Sequence, residues 1–65
     1  MNTATARNLA LDAAAACNWA EAARLLRHAI DTYPVMRGRN DYTPLQQADI
    51  ARMKDRLAGF EAMLP

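Results

Sequence analysis

With 65 residues the chain has room for one domain, expected to span 1–65, and a chain of this length buries only roughly 60% of its unfolded surface. The apolar fraction of 52% carries an excess of alanine and only 6% aromatics, and eight Lys and Arg against seven Asp and Glu leave a formal charge of +1; no global field is strong enough to draw in nucleic acid or an anionic membrane. The single cysteine, Cys17, excludes an internal disulfide and a multi-cysteine zinc site, and no apolar run comes near the about 20 residues of a spanning helix or forms an export leader, so a soluble, cytoplasmic protein is expected.

Residues 3–16 read as a first helix: Thr3 or Thr5 can cap it, and Ala6, Leu9, Ala10, Ala13 and Ala16 recur at helical spacing. This stripe is nearly all methyl groups, which permits close approach but supplies little bulk. The fullest helical signal follows over 19–33. Asn18 and Glu21 have the spacing of a capping box, and Pro34 stops the helix because it lacks an amide donor and disfavours the α region at Tyr33. Trp19, Ala22, Ala23, Leu26, Ala29, Ile30 and Tyr33 share one face, with Trp19 and Leu26 expected to fill the core, while Glu21, Arg24, Arg27, His28 and Asp31 face away. The short connection at Cys17–Asn18 sets the two helices side by side and antiparallel.

The run from Leu9 to Pro34 resembles one tetratricopeptide repeat: Leu9 stands at a large apolar position, Ala10, Ala22 and Ala29 at small packing positions, Asn18–Trp19 in the turn and Pro34 at the closing proline. Cys17 replaces the turn glycine, Ala6 and Ala13 stand where large aromatics are usual, and Leu26 where the family often has Phe or Tyr. The resemblance implies an antiparallel helical hairpin. A lone repeat cannot bury its own face, so a third element must close it.

Residues 34–43 show no periodicity and form a loop. Thr43-Pro44-Leu45-Gln46 then opens a third helix over about 44–63, with Thr43 as N-cap, Pro44 in the first turn and Gln46 completing a capping box. Ile50, Met53, Leu57, Phe60 and Leu64 alternate by three and four, the narrow seam of a bundle; Gly59 beside it suggests a close backbone crossing, and Asp49, Arg52, Lys54, Asp55, Arg56 and Glu61 form a solvated face. The expected fold is all-α: an antiparallel hairpin closed by a third helix into a three-helix bundle.

The candidate chemistry is sparse. Cys17 has no base or orienting group at a spacing that suggests a triad, His28 reads as a surface residue, and one Cys with one His falls short of a zinc set. No catalytic residue, cofactor or metal is expected. Arg37-Gly38-Arg39 is the sharpest charge feature and suits phosphates or carboxylates, although Asp41 weakens its field; Val35 and Met36, with Met63 also off the seam, suggest an apolar surface patch. The leading expectation is a small non-enzymatic adaptor, inhibitor or regulator that binds a protein through Val35, Met36, Arg37, Arg39 and Tyr42, with self-association as a secondary expectation. The alternative is a nucleic-acid-binding regulator using Arg37, Arg39 and helix-surface arginines. Its small size alone suits a bacterial or mobile-element protein.

Overall fold

A computed structural model describes residues 1–35, 38 and 40–65. It has three α-helices, α1 (Thr3–Ala15), α2 (Trp19–Asp31) and α3 (Pro44–Ala62), and no strand among the described residues. This is the all-α, three-helix bundle that the stripes predict. None of these helices is long and apolar enough to cross a membrane.

The hairpin forms because α1 ends in a tight reversal. Cys17 adopts a left-handed backbone at φ 59°. Its amide donates to the Ala14 carbonyl at 2.9 Å and that of Asn18 to the Ala13 carbonyl at 2.8 Å, the two bonds of a Schellman cap. At the far end of the hairpin the Thr3 and Thr32 hydroxyls meet at 3.0 Å, and Nε2 of His28 lies 3.0 Å from the Met1 carbonyl. The two helices are therefore antiparallel along their whole length.

Helix α2 touches both neighbours and carries the core. Ala6 and Ala10 of α1 and Ala22, Ala23, Leu26 and Ala29 of α2 are fully buried, which is the close approach that methyl-sized side chains allow. Met53 and Phe60 join the same core from α3, and Ile50 is also buried. The Trp19 and Phe60 rings pack tilted with centroids 5.8 Å apart, while Tyr33 bonds Asp49 at the other end, so α3 runs antiparallel to α2 and parallel to α1. The molecule measures 41 × 21 × 14 Å, elongated along its helices.

Several local expectations are corrected. The N-cap of α1 is Asn2, whose side chain accepts from the Thr5 amide at 2.8 Å, while Thr3 is buried against Thr32. Asn18 makes no side-chain cap bond, because its backbone at ψ 75° is shaped by the preceding reversal and Glu21 is held by Arg24 instead. Helix α2 stops at Asp31, leaving Tyr33 just beyond it. Leu25, outside the expected stripe, is buried, since a helix flanked on two sides buries a wider arc than one stripe. Leu9, on the flank of an edge helix, is 43% exposed, and Trp19 is only half-buried. A Cβ added at Gly59 would meet nothing within 4 Å, so no backbone crosses there. The Thr43–Gln46 capping box forms as expected, with reciprocal bonds of 3.2 and 3.0 Å.

Candidate functional site

Helices α1 and α3 and the segment just after α2 meet at one carboxylate. Asp49, one turn into α3, accepts from the Tyr33 hydroxyl at 2.7 Å and from Nη1 of Arg7 on α1 at 3.2 and 3.3 Å, with Arg52 at 3.9 Å. The Tyr33 hydrogen bond is the main reason that Asp49 titrates below the ordinary carboxylate range; partial burial opposes it, and Arg7 and then Arg52 reinforce it. The same bond, aided by burial and the Asp49 charge, raises Tyr33 above the usual phenol range. A carboxylate with depressed proton affinity and a phenol with raised affinity are poor general acid–base partners near neutrality. Their chemistry is that of an anchor. By sequence Asp49 belongs to a solvated face of α3, and nothing in the spacing connects it with Arg7. Instead each is half-buried and tied to the other.

Two clefts open beside Arg7. The larger, about 480 Å³, lies between the start of α1 and the end of α2 and is lined by Asn2, Thr3, Ala4, Arg7, Thr32, Tyr33, Pro34 and Gln46. The smaller, about 150 Å³, lies between α1 and α3 and is lined by Arg7, Leu26, Asp49, Arg52, Met53 and Arg56. No group of three His, Cys, Asp or Glu residues among those described is placed to hold a metal ion. Cys17 is exposed at the hairpin reversal, and His28, half-buried rather than solvated, sits at the opposite end against Met1.

Of the residues expected to bind a partner, Val35 is 41% exposed. Tyr42 is turned inward: its hydroxyl donates to the Tyr33 carbonyl at 2.8 Å and its ring meets Tyr33 edge-on at 5.6 Å, fastening the loop to the end of α2. Met36, Arg37 and Arg39 lie outside the described residues. The sequence reading missed Leu45, 84% exposed in the first turn of α3. Its available signal was its position off the core seam of a firmly capped helix. Met63 is 56% exposed, but it lies at the C-terminal end of α3 while Val35 lies beside its start, so the two do not form the single patch expected. The helix-surface arginines Arg24 and Arg27 are paired with Glu21 and Glu61, the latter at 3.6 Å. No family model, curated protein or solved structure matches the chain.

Proposed function

We propose that this protein is a small, non-enzymatic, cytoplasmic interaction module that binds a protein partner as an adaptor, inhibitor or regulator. The observation that carries the reading is the exposure of Leu45 at 84%, with Val35 at 41% on the adjoining loop. Both lie at the end where the Gln46 side-chain amide donates to the Pro34 carbonyl at 3.5 Å. Taking an apolar side chain of this size from water is worth about 1.5–3 kcal/mol, and the capping box holds Leu45 on a rigid helix start, so little ordering offsets that gain. The buried alanines Ala10, Ala22 and Ala29 fit the small packing positions of a tetratricopeptide-like hairpin. The nucleic-acid alternative draws less support, because Arg24 and Arg27 each face an acidic partner.

The test is capture from a nuclease-treated lysate by the wild-type protein and by Val35→Ser/Leu45→Ser, followed by calorimetry with the purified partner. A partner held by the wild type and bound at least about tenfold more weakly by the variant is expected, tenfold being about 1.4 kcal/mol. Capture of nothing, or equal binding by both proteins, contradicts the reading.

A further inference from the structure

Helix α3 carries a second stripe besides its core seam. Leu45, Asp49, Arg52, Arg56, Gly59 and Met63 are separated alternately by four and three residues, which places them within an arc of about 80° along about 27 Å of helix. The bonds of Asp49 to Arg7 turn this stripe toward α1. Its two ends are apolar and open, Leu45 at 84% and Met63 at 56% exposed. Its centre is basic. Arg7, Arg52 and Arg56 surround the small cleft with only Asp49 to offset them; the Arg52 side chain is 74% exposed, and Arg56 has no acidic partner among the described residues.

We propose that the face between α1 and α3 is a docking groove for an acidic amphipathic helix of the partner protein. Central Asp or Glu side chains of that helix pair with Arg52 and Arg56, and apolar residues toward its ends cover Leu45 and Met63. The proposal rests on the protein-binding reading above and specifies the partner's chemistry. Charge decides the occupant: a second copy presenting the same face would set guanidinium groups against guanidinium groups. A phosphate backbone would gain nothing from Leu45 or Met63 and would be repelled by Asp49. An acidic helix satisfies both the centre and the ends. Gly59 leaves open space on the stripe where a helix can approach closely, since a Cβ there would meet nothing within 4 Å.

The probes are a fluorescein-labelled helical peptide of about 20 residues with leucines toward both ends and glutamates at its centre, its lysine-centred counterpart, and a random duplex DNA, all at about 50 mM salt where charge pairing is weakly screened. The glutamate peptide should bind at least about tenfold more tightly than the lysine peptide. Arg52→Glu/Arg56→Glu should invert that preference, and Leu45→Ser/Met63→Ser should weaken both peptides while keeping it; circular dichroism checks that each variant folds. No binding of the glutamate peptide, equal binding of the two peptides, an unchanged preference in the charge-reversed variant, or tighter binding of the duplex would overturn the groove. A lysate partner lost on Val35→Ser but retained by Arg52→Glu/Arg56→Glu would refute the groove and leave the protein-binding reading intact. Failure to capture any protein would count against that broader reading.

Discussion

Cys17 holds a left-handed backbone at φ 59°, a region that costs an L-residue roughly 1–2 kcal/mol and glycine almost nothing. Cys17→Gly should therefore raise stability by about 1 kcal/mol, read as a higher urea midpoint at unchanged slope. A lower midpoint would mean that the thiol contributes packing that its exposed position does not suggest. Asp49 is the other residue with a measurable signature. Its folded carboxyl titrates below its unfolded one, so its contribution to stability is present above the unfolded pKa and is lost as pH falls through the folded value. Stability should hold near neutrality and decline below about pH 4. Tyr33→Phe removes the largest cause of the shift and should shrink the difference between urea midpoints at about pH 7 and about pH 3. An undiminished difference would assign the acid sensitivity to another carboxylate.

At the scale of the element, two capping boxes with the same sequence spacing had different outcomes. Thr43–Gln46 closed because Pro44 presets the first turn and nothing competes for the glutamine oxygen. Asn18–Glu21 did not, because Arg24 takes the carboxylate and the Schellman reversal fixes the asparagine backbone. Thr43→Ala should cost about 1 kcal/mol and Asn18→Ala below about 0.5 kcal/mol by denaturant titration. Equal costs would show that the asparagine cap forms in solution. The apolar stripes of α2 and α3 were legible because they obey a single period, and Ile50, Met53 and Phe60 are buried as their spacing requires. The width of the α2 stripe was not, since burial of Leu25 follows from having neighbours on both sides. Trp19 reads from sequence as core, but it is only partly buried, at the margin of the core cluster. Trp19→Ala should then cost about 2 kcal/mol rather than the about 3–5 kcal/mol of a fully buried aromatic, while Leu26→Ala, at a fully buried site, should cost about 2–5 kcal/mol. A Trp19 loss exceeding that of Leu26 would reverse this ranking.

At the scale of the whole molecule, caps and periodicity made the three-helix order legible, whereas the junction that ties α1 to α3 was not. Arg7 and Asp49 are 42 residues apart, each on a helix face that reads as polar, and no local spacing links them. Leu45 was legible only indirectly: it lies off the seam of Ile50, Met53, Leu57 and Phe60, but a position off the seam does not by itself say how far the side chain stands into solvent. On the proposal made above, this bundle recognises a protein surface through a groove that presents Arg52, Arg56 and Asp49 between apolar ends. Binding to random duplex DNA at about 50 and about 200 mM salt tests it most directly, because phosphate contacts weaken steeply over that range. The expected result is no affinity tighter than about 10 μM at the lower salt, within the range of nonspecific contact. Sub-micromolar binding at the lower salt that disappears at the higher would contradict the claim and make the arginines a phosphate-binding surface.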